Sequence, residues 1–222
     1  MNMINIVFLG APGSGKGTQS ALLSSDLDIP TISTGEILRK EVSDKSPIGN
    51  LAKSYMDAGG LVPDNIVVDI IKKRISESGC SKGFILDGFP RSVNQAAILD
   101  EMLASSQKEI NVVINIEVND DVLIKRISGR FACQKCGTTY NRFLNPTKAK
   151  NVCDKCGGND FGGRIDDNTE TVKNRLKVYN QNNRELMEFY RKKDLLYSVD
   201  GLKNTTLVNS DIREVCQSRV NF

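Results

Sequence analysis

Residues Gly10 to Thr18 read GAPGSGKGT, four glycines and one lysine in nine positions, directly after the apolar run Ile4 to Leu9. Glycine loses more backbone freedom on ordering than any other residue, so this stretch is a poor helix or strand unless something compensates. The spacing Gly10-x-x-x-x-Gly15-Lys16 between a predicted strand and a predicted helix supplies the compensation. It is the phosphate-loop arrangement, in which bare backbone and a helix N-terminus wrap an oxyanion and the lysine reaches the outer phosphates. A dinucleotide-binding turn does not fit, because glycines at 10, 13, 15 and 17 do not match G-x-G-x-x-G. Gly17 departs from the general pattern, which places a magnesium-binding hydroxyl there; the hydroxyl has moved to Thr18.

Around this loop, β-branched runs alternate with helical segments. Strands are expected at Ile4 to Leu9, Thr31 to Ser33, Phe84 to Leu86, Val112 to Ile116 and Thr206 to Val208. Helices are expected at Lys16 to Ser25, Asp64 to Glu77, Ser92 to Ser105, Asp120 to Arg130 and Thr169 to Lys193. The alternation implies an α/β core with a five-stranded parallel sheet flanked by helices. Two regions break it: Thr34 to Pro63 holds two short helices without a strand, and Phe131 to Gly163 has no clear period. Both are read as insertions. Asp87 ends a predicted strand and so faces the same crevice as the phosphate loop, where a carboxylate suits a Mg²⁺ shell.

Charge is balanced, with 30 Lys and Arg against 27 Asp and Glu, so no polyelectrolyte tail points to nucleic acid or a membrane surface. No apolar run approaches a bilayer span, and Ile4 to Leu9 is too short for a signal peptide, so a cytoplasmic protein is expected. The 222 residues contain no histidine, which removes every mechanism that depends on a His base.

Four of the six cysteines form two CxxC pairs, Cys133 with Cys136 and Cys153 with Cys156, sixteen residues apart. That spacing predicts a four-thiolate Zn²⁺ site, structural because no coordination position stays open. Two redox dithiols or an iron–sulfur cluster are the alternatives the spacing leaves. Cys80 and Cys216 are read as simple core or surface thiols.

The motifs GAPGSGKGTQ, STGEILR (Ser33 to Arg39), GLVPD (Gly60 to Asp64), DGFPRS (Asp87 to Ser92) with Gln95, and DDNTETVKNRL (Asp166 to Leu176) resemble, in order, those of the adenylate kinase family in its long, zinc-containing form. Gly17 is itself a mark of that family. The resemblance implies a phosphate-loop core at 1–32, 64–128 and 167–222, an AMP-binding insertion at 33–63 and a lid carrying the zinc site at 129–166, with hinges near Gly129 and Asp166. It implies ATP, AMP and ADP as substrates, Mg²⁺ with ATP, and a monomeric enzyme without nucleic-acid or membrane partners.

By the same resemblance Gly13, Ser14, Gly15, Lys16, Gly17 and Thr18 bind the ATP phosphates. Arg130, Thr139 and Tyr140, with the backbone near Lys203, complete the ATP site. Thr34, Arg39, Gly60, Leu61, Val62, Gly88, Phe89, Pro90, Arg91 and Gln95 hold AMP. Arg164 and Arg175 clamp phosphates across the AMP side, and Arg126 is expected near the transferring phosphoryl. Such a roster suits phosphoryl transfer, which needs in-line positioning and charge neutralisation more than covalent chemistry. Kinases for GMP or for UMP and CMP remain rivals, as does a GTP donor. A third reading is a nucleic-acid-dependent ATPase whose zinc ribbon presents Lys135, Arg142, Lys148, Lys150 and Lys155 around Tyr140 and Phe143.

Overall fold

Ile4–Leu9 (β1) is buried at all six positions, as a central strand covered on both faces must be. Its alternate residues feed two cores. Val7 and Leu9 join one apolar cluster, and Ile4, Ile6 and Phe8 join the other. In the computed structural model, which describes residues 3–163, 167 and 169–219, this strand lies at the middle of a five-stranded sheet. Thr31–Ser33 (β2), Gly83–Asp87 (β3), Val112–Glu117 (β4) and a last strand at Leu196–Asp200 complete it. All neighbouring pairs are parallel.

Helices cover both faces. Lys16–Leu27 (α1) packs Leu23 on one side; Asp64–Ile75 (α4), Val93–Ala104 (α5) and the long Thr169–Lys192 (α7) pack on the other. Asp120–Ser128 (α6) follows β4, with Asn119 as its cap, the side-chain oxygen accepting from Val122 N–H at 3.1 Å. No helix among the described residues is long and apolar enough to cross a membrane.

The C-terminal part departs from the sequence reading. Thr206 to Val208 is not a strand; it opens the helix Thr205–Arg219 (α8), whose Val208, Ile212 and Cys216 are buried at helical spacing. The fifth strand is Leu196–Asp200, paired from Val113–Leu196 to Glu117–Asp200. Three β-branched or apolar residues in a row suit either element, and the four-residue spacing of the buried set is what decides.

Between β2 and α4 lie Thr34–Ser43 (α2) and Pro47–Asp57 (α3), with no strand between them. Helix α6 stops at Ser128, and Arg130 begins a separate three-stranded antiparallel sheet: Arg130–Cys133 (β5), Thr139–Asn141 (β6) and Phe161–Gly162 (β7), in the order β6-β5-β7. The remaining core strand, Leu196–Asp200, is β8.

Candidate active site

The chain leaves β1 through Gly10 and turns through Gly13 (φ +83°) and Gly15 (φ +107°) into α1. Those angles lie where a side chain is strained, which accounts for the glycines. Helices α3 and α5 are capped by the side chains of Ser46 and Ser92, but α1 opens on Gly15 with no side-chain cap, leaving its N-terminus turned to the cleft. Ser14 Oγ is buried without a partner among the described residues. Lys16 Nζ donates to the carbonyls of Gly10 (2.6 Å) and Ala11 (3.0 Å). Burial pushes its ammonium down from the ordinary 10.5 to about 8. The Asp87 carboxylate opposes that shift, and the guanidinium groups of Arg91, Arg175 and Arg130 reinforce it.

Asp87 sits at the end of β3, beside β1, with Phe8 as its partner across the ladder. A Cβ built on Gly17 would lie 3.7 Å from Asp87 Oδ2, so the carboxylate faces the bare backbone of the loop. Lys16, Gly17, Thr18, Asp87, Arg126, Arg130, Thr139 and Tyr140 all line one cleft of about 960 Å³. Thr34, Gly60, Leu61, Val62 and Gln95 line a second, smaller pocket. The two cavities share Gly35, Arg39, Gly59, Leu61, Gly88, Arg91 and Arg175, so these residues stand where the compartments meet. Thr34 Oγ1 donates to the Gly88 carbonyl at 2.9 Å and Arg91 Nε to the same carbonyl at 2.8 Å. Pro90 lines the cleft, whereas Phe89 is buried in the apolar core.

The other basic residues divide. Arg130 makes a two-pronged pair with Asp167, Nε to Oδ2 at 2.7 Å with Nη2 on Oδ1, and Arg175 lies 3.9 Å from the same carboxylate. Asp167 was not among the residues singled out from sequence; the signal available was its place in the DDNTETVKNRL motif. Arg126 lines the cleft beside the phosphate loop, donating to Ser14 O (3.2 Å) and Gly201 O (2.8 Å). Asn141, also missed, donates to the carbonyl of Arg126 at 2.6 Å. Lys203 pairs with Asp211 at 2.7 Å on the surface and does not line the cleft. Arg164 and Asp166 lie outside the described residues.

In the antiparallel sheet the four thiols of Cys133, Cys136, Cys153 and Cys156 lie within 4.8 Å of one another. The Cys133–Cys156 and Cys136–Cys153 sulfurs are 3.6 and 3.5 Å apart. A Zn–S bond of about 2.3 Å sets tetrahedral S–S edges of about 3.8 Å, so the thiols fit a closed four-sulfur site and are too far apart for disulfides. Tyr140 is 4% exposed; its ring stacks on Phe131 and meets Phe161 edge-on, and its hydroxyl lies 3.3 Å from Cys153 Sγ and accepts from Asp154 N–H at 2.8 Å. That side chain belongs to the core around the thiols. Cys80 and Cys216 are buried in the main core.

A phosphate loop at the C-terminal edge of a parallel sheet, opening on two cavities that meet at arginines, defines a phosphoryl-transfer enzyme with room for two nucleotides. A family model described as adenylate kinase matches residues 8–195. An adenylate kinase of Limosilactobacillus fermentum is 47% identical over 96% of this chain and 98% of its own length. The adenylate kinases of Methanosarcina mazei, at 49%, and Archaeoglobus fulgidus, at 47%, also span 96% of this chain and 98% of theirs. The chain belongs to the adenylate kinase family.

Proposed function

We infer that this protein catalyses reversible phosphoryl transfer from ATP to AMP, yielding two ADP. The observation that carries the reading is the junction of the two cavities at Gly88, Arg91 and Arg175, which sets a donor compartment against an acceptor compartment. In the reaction an AMP phosphate oxygen bonds to the γ-phosphorus of ATP as the β–γ bridging bond breaks, and ADP leaves. The acceptor is already an anion, so no general base is needed, in keeping with a chain that has no histidine. The work is positioning and charge neutralisation.

In this reading Gly13 to Thr18 cradle the donor phosphates and Lys16 swings from the loop carbonyls to their outer oxygens. Arg91, Arg130 and Arg175 bind phosphate oxygens with their planar forks. Asp167 holds the guanidinium of Arg130. Magnesium bound with ATP would offset phosphate charge, and Asp87, which faces Gly17, would be the carboxylate to orient its water. Gln95 and Thr34 meet the acceptor nucleoside. The segment 129–166 is the lid, closing over the donor to exclude water. Its four thiols would hold zinc as a structural metal.

The deciding assay measures ADP formed from ATP with AMP, GMP, UMP and CMP in turn. AMP is expected to be the best acceptor by at least tenfold in kcat/KM, the scale at which a base edge met by polar groups discriminates; a different best acceptor overturns the reading.

Lys16 adds a pH signature. With its ammonium at about 8 in the folded chain, most of the group is neutral at pH 8.5. Bound phosphate favours the charged form, so ATP binding at pH 8.5 should take up roughly half a proton or more, and almost none at pH 6.5. Calorimetry in two buffers of different ionisation enthalpy reads this directly. For folding the sign is opposite: between pH 8 and 10.5 the unfolded chain holds a proton the folded chain has shed, so this group alone makes stability rise with pH there.

A further inference from the structure

The acceptor pocket contains one side chain whose orientation is fixed by chemistry alone. Gln95 is 2% exposed, and its carboxamide is held at both ends. Its Oε1 accepts from the backbone N–H of Arg91 at 2.7 Å, and its Nε2 donates to Asp64 Oδ1 at 2.6 Å. The other carboxylate oxygen of Asp64 accepts from Asn94 Nδ2 at 2.8 Å. An N–H cannot accept and an ionised carboxylate cannot donate, so exchanging the oxygen and nitrogen of Gln95 would set N–H against N–H and oxygen against anionic oxygen. Asp64 also stands in the first turn of α4, where the helix N-terminus favours its charge.

A primary carboxamide carries two N–H donors and two lone pairs. With one of each committed, Gln95 keeps one donor and one acceptor for a ligand. Adenine offers the complement on its Watson–Crick edge, an amino donor at N6 and an acceptor at N1. A 6-oxopurine offers the inverse, an acceptor at O6 and a donor at N1. A carboxamide free to turn over would pair with either, and one that cannot turn pairs with adenine alone.

We propose that Asp64 is a specificity-determining positioning residue: by holding the carboxamide of Gln95 in one orientation, it makes the acceptor pocket select 6-aminopurine over 6-oxopurine monophosphates. The proposal rests on the reading that Gln95 meets the acceptor base. Asp64 need not touch the nucleotide. It acts by making the wrong orientation of its neighbour costly, and the larger of the two costs is the carboxylate's.

The test uses the isosteric Asp64→Asn, which can present either oxygen or NH₂ to Gln95, and the smaller Asp64→Ser as a second variant, with Gln95→Leu as reference. Each is checked for cooperative unfolding by circular dichroism and assayed with ATP and either AMP or inosine monophosphate, which differ at the six-position edge alone. In the Asp64 variants the AMP-to-IMP ratio of kcat/KM should fall roughly tenfold, the loss expected for one hydrogen bond to a charged group. The KM for AMP should rise while the KM for ATP stays within about twofold, a split that general loosening of the fold would not produce. If both folded Asp64 variants keep the wild-type ratio while Gln95→Leu collapses it, the proposal is overturned and the role of Gln95 stands. If Gln95→Leu also keeps the ratio, the acceptor reading of Gln95 fails and the proposal fails with it.

Discussion

Lys16→Ala should lower turnover by roughly 10³-fold while leaving the melting temperature within a few degrees of wild type. The scale is that of removing one positioned donor from a site where negative charge concentrates. The bonds of Lys16 run to two loop carbonyls, and burial already disfavours its charge. Removing it therefore relieves a desolvation cost in the fold and forfeits stabilisation only when phosphate is present. Steady-state ADP formation with saturating ATP and AMP, beside thermal unfolding of the same sample, separates the two effects. A folded variant with activity within tenfold of wild type would refute the role assigned to this lysine.

The second large effect is expected at the four thiols, the proposed zinc site. Stripping the metal with a chelator, or Cys133→Ser, should lower the melting temperature by about 10 °C and expose the segment around Lys148, Lys150 and Lys155 to trypsin. The antiparallel sheet has few buried residues of its own: Cys133, Tyr140 and Cys153, with Phe131 and Phe161 packed against them. So small a core cannot offset the ordering entropy of a segment this long. Metal binding to four thiolates supplies on the order of 10 kcal/mol in small zinc domains, and even a third of that moves the midpoint of a chain this size by several degrees. The three lysines are exposed, so tryptic cleavage reports the segment's own unfolding. Unchanged melting and unchanged cleavage in metal-free protein would show that the thiols alone suffice.

These two sites were legible in the amino-acid order because each is local. The phosphate loop is nine consecutive residues, and the cysteine pairs lie at fixed short spacing. Four of the five core strands were legible for the same reason: short stretches rich in β-branched and apolar residues, bounded by turns, mark them locally. The last was not. Leu196–Asp200 buries Val199 alone and leaves its other four residues at least partly exposed, whereas Thr206 to Val208, with the stronger local strand signal, became helical because α8 buries Val208, Ile212 and Cys216 together.

Conformation and pairing of the charged groups were out of reach of local reading. Arg130 and Asp167 are 37 residues apart, Gln95 and Asp64 are 31 apart, and Arg126 rests on carbonyls 112 and 75 residues away. The ammonium of Lys203, whose neighbouring backbone the resemblance places near the donor, pairs with Asp211 eight residues on, a partner that local reading does not single out.

The amino-acid order by itself determined which chemistry this chain carries, because a phosphate cradle and a four-thiolate cluster each need particular residue types at particular short spacings. Only the tertiary structure decided which arginine meets which carboxylate, which way the carboxamide of Gln95 points, and that Tyr140 turns to the thiols. Those outcomes depend on burial, where a polar group must take whichever partner the folded chain brings within reach.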